Sequence, residues 1–388
     1  MNLPENPKPF VAIACGGTGG HLFPGLAVAA QLRQRGCEVA LLISPKEVDQ
    51  QAVKSAAGME IFTLPAVGLQ NRNYFSFARS FWKSYRAAQA IFKAHRPAAV
   101  LAMGGFTSAP PVLAARRFGA RTFLHDSNTI PGKANRFLAR RVDEAFIGFP
   151  EAAARLRAKK IFVTGTPVRP QFQLREAAAC RTALGLDPER PTILVVGGSQ
   201  GASGLNDLIL SALKLAPPVQ WLHLTGAKDF EKVKAAYAAA GLKAVVKPFL
   251  AEMDLALGAA TACVSRAGAS SLAEIAAMRL PSALVPLPTA ADNHQWSNAL
   301  AFEQTGAARL LDQKNSPPEK VAALLAALVN DEAVRLKMQA ALAQWHTPAA
   351  AEIIAGNILS AIGQGAGKPV RSGGQPATGG EIKLRVVT

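Results

Sequence analysis

The chain has 388 residues, a length for two domains or three. Its composition, 49 % hydrophobic and 18 % charged, supplies ample core and excludes a chain disordered throughout. Forty-three Lys and Arg against 26 Asp and Glu leave a formal charge of +17, which calls for an anionic partner such as nucleic acid, a phosphorylated metabolite or a membrane surface.

Short apolar, β-rich runs alternate with Ala-rich helical stretches. The first set is Phe10–Ala14, Val39–Ile43, Ile61–Leu64, Ala99–Met103, Arg121–Leu124, Ala145–Ile147 and Ile161–Val163. The second is Thr192–Val196, Trp221–Leu224, Ala244–Val246, Ala262–Val264, Ala283–Val285 and Ala308–Leu311. Continuous apolar strands separated by helices read as parallel sheets covered on both faces. The segment Gly165-Thr166-Pro167-Val168-Arg169-Pro170 is the seam. The expected class is therefore α/β, with two Rossmann-like doubly wound domains over residues 1–170 and 171–345 facing each other across a cleft. A helix within 346–362 can pack on either domain, and the Gly- and Pro-rich tail 363–388 reads as flexible. The cysteines at 15, 37, 180 and 263 suit neither a zinc site nor a disulfide framework. No apolar run reaches the ~18 residues of a membrane span, and the N-terminus lacks a signal-peptide core. A reducing cytoplasm is expected.

Charge is uneven. Residues 1–170 carry 23 Lys and Arg against 9 Asp and Glu, and residues 171–388 carry 20 against 17. No acidic residue occurs from Ile61 to His125. A nucleic-acid-binding protein would not leave one half so nearly balanced in charge, and no nucleic-acid module is recognisable.

Both halves open alike, with a strand running into a glycine turn: Gly16-Gly17-Thr18-Gly19-Gly20 in one and Gly197-Gly198-Ser199-Gln200-Gly201 in the other. Such a turn sets backbone N–H groups and a helix N-terminus where an anion can sit. Neither is a P-loop, because no Gly-Lys-Ser/Thr follows. Leu22 stands where a dinucleotide fingerprint needs its third glycine, and strand two ends Leu42-Ile43-Ser44 without an acid, so a NAD oxidoreductase is disfavoured. Two further stretches look chemical. His125-Asp126-Ser127-Asn128 lies at a strand end, where ligands gather in open α/β sheets. Ser265 to Glu274 is a strand end, a glycine turn and a helix start, and Glu274 can offer a carboxylate to sugar hydroxyls. With no Asp-x-Asp in the chain, a sugar-nucleotide site would meet leaving-group charge with helix N-termini, N–H groups and arginine, without a metal.

Taken in order, these motifs resemble the MurG family of peptidoglycan N-acetylglucosaminyltransferases, in glycosyltransferase family 28. The likeness runs from about Phe10 to about Ile362. It rests on Gly16–Ala29, Gly104-Gly-Phe-Thr-Ser-Ala-Pro-Pro-Val, His125-x-x-Asn128-x-x-Pro131-Gly-x-x-Asn135-Arg136 and Gly165-x-Pro167-Val-Arg169. It continues in Gly197–Ala202, Ser265-Arg-x-Gly268-Ala with Glu274-Ile-Ala-Ala, and Gln295-x-x-Asn298-Ala. The family's usual His-Glu-Gln-Asn reads His125-Asp126-Ser127-Asn128 here, and its usual Gly-Asn-Pro reads Gly165-Thr166-Pro167. A rival of the same fold would transfer or epimerise another nucleotide sugar, and the motif from His125 to Arg136 discriminates.

The resemblance implies the GT-B fold and an inverting transfer of GlcNAc from UDP-GlcNAc to the C4 hydroxyl of undecaprenyl-pyrophosphate-linked MurNAc-pentapeptide, with no cofactor. It places Thr18, Gly19, Gly20 and His21 near the lipid diphosphate and donor, Asn128 and Gln295 on the sugar, and Arg169, Ser199 and Gln200 around the UDP diphosphate. The backbone at Leu250 would read uracil. Ala269, Ser270, Ser271, Leu272 and Ala273 would form the phosphate-facing helix start, with Glu274 on the ribose. His21 either takes the acceptor's proton or hydrogen-bonds its diphosphate, and His125 is the reserve base. It further implies peripheral attachment to the cytoplasmic face of the inner membrane, and contacts with other cell-wall synthesis and division proteins.

The helix Arg72–Arg96 is the candidate docking element. At roughly 100° per residue, Phe77, Phe81, Tyr85, Ala88 and Phe92 form one stripe, Arg79, Lys83, Arg86 and Lys93 oppose it, and Trp82 lies between. Arg72, Phe77, Arg79, Phe81, Trp82, Lys83 and Arg86 are the residues expected to meet an anionic leaflet. The alternative is that the stripe packs on the sheet and the basic face is only solvated.

Overall fold

In the computed structural model the described residues are 8–46, 49–50, 59–66, 68, 74–198 and 201–363. Arg72, Ser199, Gln200 and the tail beyond Gly363 lie outside them. The chain divides into two units, one of residues up to Pro167 with those from Ala349, the other Val168–Pro348.

The first unit holds a seven-stranded sheet in the order β3-β2-β1-β4-β5-β6-β7. Its strands are β1 Phe10–Ala14, β2 Glu38–Ile43, β3 Glu60–Thr63, β4 Ala99–Ala102, β5 Arg121–Asp126, β6 Glu144–Ile147 and β7 Ile161–Val163. All the pairings are parallel. Both faces are covered, which is why β1 and β4 are apolar throughout and buried at every position. The helices used below are α1 Gly19–Gln34, α2 Tyr74–Ala94, α3 Ala109–Arg117 and α4 Lys133–Ala139.

Val11, Ile13, Leu41 and Leu101 face α1 on one side of the sheet. Ala12, Ala14, Leu42 and Val100 face the buried side chains of α2 and α3 on the other. Strand β5 runs two residues further than the sequence suggests, because His125 and Asp126 pair with Phe146 and Ile147. Both residues therefore sit on a rigid strand rather than in the turn after it.

The second unit has six parallel strands in the order β10-β9-β8-β11-β12-β13. They are β8 Thr192–Val196, β9 Gln220–Leu224, β10 Ala244–Lys247, β11 Ala262–Ser265, β12 Ser282–Leu284 and β13 Arg309–Leu310. Three of its helices matter here: α5 Ser203–Ala212, α6 Ala269–Ala277 and α7 His294–Gln304.

The last helix, α8 (Ala350–Ala361), packs on the first unit. Ile354, Ala355 and Ile358 join Leu22, Leu26 and Leu32 of α1 in one cluster. Its exposed Arg35–Glu352 ion pair, at 2.9 Å, adds little beside that apolar contact. All four cysteines are buried and free.

Helix α2 divides the expected docking residues between a flank and an exposed face, with Arg79, Trp82, Lys83 and Arg86 exposed. Tyr85, Ala88 and Phe92 are buried in the core, and Phe81 packs against it. Phe77 and Phe81 are half-buried and rest on each other, ring centres 6.3 Å apart. Phe81 thus sits at the edge of the core, and both rings lie on the flank of the helix between its buried and exposed faces. The outward line is Phe75, Arg79, Trp82 and Arg86, at steps of four, three and four residues. Phe75 is 82 % exposed and Trp82 57 %. Tyr74 and Phe75 are exposed aromatics that the sequence reading did not pick out. Among the described residues no helix is long and apolar enough to cross a membrane.

Candidate active site

In each sheet the strand order reverses beside the first strand, between β1 and β4 and between β8 and β11. Ligands of open α/β sheets bind outside the C-terminal strand ends at that reversal. Both glycine turns lie there.

In the first unit the turn follows β1. A Cβ on Gly16 would stand 2.3 Å from the Ser44 nitrogen, and Gly17 has φ +111°, so both positions require glycine. Asp49, buried, accepts from the Gly17 N–H at 2.6 Å, from the Ser44 N–H at 3.1 Å and from the Ser44 hydroxyl at 2.5 Å. Lys46 donates to the Gly17 carbonyl at 3.2 Å. An acid does therefore follow strand two, five residues past Ser44, but its carboxylate is spent on the turn.

On the other side of the reversal, Gly104 and Gly105 adopt φ of +104° and +76°, and a Cβ on either would lie 3.0 Å from the His21 ring. The two glycines are the bed on which the imidazole rests. His21, on the first turn of α1, is half-buried, and Thr18 and Gly20 are exposed.

His125 has no exposed surface. Its Nε2 lies 3.0 Å from the Gly165 carbonyl, which can only accept, so that nitrogen carries the proton. The Ser127 hydroxyl then donates to Nδ1 at 3.4 Å. Burial holds the imidazole below its usual range. With both nitrogens engaged inside the protein, His125 fits a positioning role better than that of a base.

Asp126 accepts from the backbone N–H groups of Asn128 and Gly132 and from the Asn135 side chain, each at 2.9 Å. Asn135 also donates to the His125 carbonyl at 2.9 Å. These bonds fix the loop that carries Asn128. The departures Ser127 and Thr166 meet across Gly148, where a Cβ would stand 2.4 Å from the Thr166 hydroxyl and 3.0 Å from the Ser127 carbonyl oxygen.

In the second unit the turn after β8 leads into α5. Gly201, φ +74°, approaches β9 so closely that a Cβ would lie 2.5 Å from the Thr225 carbonyl oxygen. A cavity of about 380 Å³ opens here, lined by Gly197, Gly201, Gly204, Arg266, Gln295 and Gln313 among others. Arg266 is only 6 % exposed. Its Nη1 donates to the Val285 and Pro286 carbonyls at 3.0 and 3.2 Å, and its Nη2 to the Gln313 side-chain oxygen at 2.7 Å. Burial lowers its pKa to about 10, so it stays charged at neutral pH. Arg266 and Gln313 were not singled out from the sequence as site residues. The available signal was a charged residue directly after an apolar strand.

Gln295 lines the same cavity and accepts from the Leu287 N–H at 3.0 Å. At the start of α6, Ser270, Ser271 and Ala273 are half-buried, whereas Ala269 and Leu272 are core residues. The Leu272 N–H is already bonded to the Gly268 carbonyl at 3.0 Å. Leu272 thus has neither a side chain nor an N–H to offer a phosphate, which corrects that assignment.

Glu274 pairs with Arg169 at 3.2 Å, and both side chains are about 15 % exposed. Burial raises the Glu274 carboxyl above the usual range, against the pull of Arg169. Arg169 thus lies beside the proposed ribose acid and over the Phe172 ring, 4.8 Å from its centre. Leu250 is buried in the segment after β10.

Residues 11–147 match the model of the glycosyltransferase family 28 N-terminal domain, and residues 192–353 that of its C-terminal domain. The chain belongs to glycosyltransferase family 28. A relative from Xanthomonas euvesicatoria pv. vesicatoria, named UDP-N-acetylglucosamine--N-acetylmuramyl-(pentapeptide) pyrophosphoryl-undecaprenol N-acetylglucosamine transferase, is 38 % identical over 92 % of this chain and 83 % of its own. One of the same name from Allorhizobium ampelinum is 34 % identical over 92 % and 96 %. The crystal structure of Acinetobacter baumannii MurG aligns with a TM-score of 0.72 at 29 % identity, covering 91 % of this chain and all of that one. The two parallel-sheet units are those of the GT-B family fold.

Proposed function

We infer that this family 28 chain is the N-acetylglucosaminyltransferase of peptidoglycan synthesis. It moves GlcNAc from UDP-GlcNAc to the C4 hydroxyl of undecaprenyl-pyrophosphate-linked MurNAc-pentapeptide. The observation that carries this reading is a likeness to transferases of that name over nine-tenths of the chain, together with a cavity in the second unit suited to an anion.

The second unit takes the donor. Its diphosphate faces Arg266, the glycine turn and the N-terminus of α5, where charge and dipole favour an anion. Glu274 bonds the ribose and Gln295 the sugar. The first unit takes the acceptor, with Asn128 on its fixed loop and His21 on its glycine bed. An imidazole can accept a proton near neutral pH. In the transfer the acceptor oxygen bonds the anomeric carbon with inversion, its proton passes to His21, and the bond to the UDP oxygen breaks. The diphosphate leaves with its new charge met by Arg266 and oriented N–H groups. The reading assigns the site no metal, since the guanidinium and the helix end already supply positive charge to the leaving group.

The exposed line on α2 lies on the cytoplasmic inner-membrane surface, Phe75 and Trp82 inserting shallowly between Arg79, Lys83 and Arg86. The deciding experiment is transfer of labelled GlcNAc from UDP-GlcNAc to a short-chain acceptor analogue, with and without EDTA. Transfer that survives EDTA is expected. Absence of transfer by well-folded protein refutes the assignment, and loss with EDTA refutes the metal-free scheme.

A further inference from the structure

Arg266 carries a full charge in the protein interior, yet all its partners are neutral: two backbone carbonyls and one side-chain amide oxygen. Its Nε is buried with no acceptor. Among the described residues no carboxylate pairs with it. A buried cation ordinarily needs a counter-ion, and a cavity with a glycine turn opens beside this one. The two carbonyls hold Nη1. Among the described residues only Gln313, from the segment after β13, holds Nη2, at 2.7 Å.

The Gln313 amide can lie there because residue 204, in the first turn of α5, has no side chain. A Cβ on Gly204 would stand 2.4 Å from the Gln313 amide nitrogen and 2.8 Å from its carbon.

We propose that Gln313 is a positioning residue for the donor diphosphate. Its side-chain oxygen is engaged by Arg266, and it acts on the ligand through that guanidinium. It anchors Nη2 so that the guanidinium stays turned toward the phosphates, and it does so with a neutral oxygen, which leaves the positive charge free to attract an anion. A carboxylate at 313 would anchor the same nitrogen but cancel that charge. The proposal rests on the donor reading of the cavity and adds to it a residue acting through Arg266.

The test compares wild type with Gln313→Met, which keeps the bulk and removes the acceptor, and Gln313→Glu, which keeps the acceptor and adds a charge. Residue 313 lies in the turn after β13, half-buried and outside the core, so both variants are expected to fold. UDP affinity is read by calorimetry and uridine affinity by ligand-observed NMR. The expected result is a roughly tenfold loss of UDP affinity in Gln313→Met, a larger loss in Gln313→Glu, and uridine affinity within twofold of wild type in both. A packing role would move UDP and uridine together and make glutamate, the closer isostere, the milder change. That pattern, or unchanged UDP binding in both variants, overturns the proposal while leaving the donor reading intact. Failure of the wild type itself to bind UDP overturns the donor reading and this proposal with it.

Discussion

The glycine turn of the first unit depends on a residue that is far from it in sequence, and Asp49→Asn measures that dependence. One carboxylate oxygen, Oδ2, accepts the Gly17 N–H, the Ser44 N–H and the Ser44 hydroxyl, and the other is buried without a partner. A bond to a charged acceptor contributes about 1.5–3 kcal/mol net and a neutral one about 1 kcal/mol. Asparagine keeps an oxygen for these donors but weakens each bond. It also buries a new NH₂ that costs about 1–3 kcal/mol when it finds no acceptor. Part of this is offset because a charge no longer has to be buried. The balance is a destabilisation of about 3 kcal/mol in the first unit, with the turn loosened most. Urea unfolding and hydrogen exchange over residues 10–22 read the two effects. Steady-state kinetics should show a raised KM for the acceptor analogue with UDP affinity unchanged, since the donor is assigned to the other unit. An Asp49→Asn protein with wild-type unfolding midpoint, exchange and acceptor KM would refute the clamp.

Three other expectations use different parts of the molecule. His21→Ala should lower turnover by about 10²–10⁴-fold with UDP-GlcNAc affinity preserved, and near-normal turnover would remove His21 from the base role. His223 is fully buried between Tyr237 and Asn206, at 3.1 and 3.0 Å, and burial lowers its pKa to about 3. Its contribution to stability is complete above the unfolded value near 6.5 and is lost as pH falls toward 3. At 1.36 kcal/mol per unit, going from pH 7 to pH 4 should cost the wild type about 3 kcal/mol more than His223→Gln, whereas parallel curves would show the site does not titrate. On α2, Phe75→Ser with Trp82→Ser should cut co-sedimentation with anionic vesicles, and Lys83→Glu should make the remaining binding weaker and less sensitive to salt. Binding indifferent to all three changes would place the docking surface elsewhere.

The sequence made legible what is local and hid what is recruited. A strand, a glycine turn and a helix start are contiguous, so both turns and the Gly268–Glu274 helix start could be read from spacing alone. Asp49 lies 32 residues from Gly17, Gln313 lies 47 from Arg266, and Gly165 lies 40 from His125. Parallel strands force this, because each return to the same sheet end costs a whole crossover, and the residues that meet there are separated by helices of no fixed length. Strand two ends without an acid, yet Asp49, five residues past Ser44, turns its carboxylate onto the glycine loop, a use that no ribose-binding pattern could reveal. Helix α2 shows a different limit. Its period was plain, but period alone identifies two faces without saying which is inward. The aromatic face was the better candidate for burial, and the sheet took it, leaving the cations outside with the two rings, Phe75 and Trp82, that share their side of the helix.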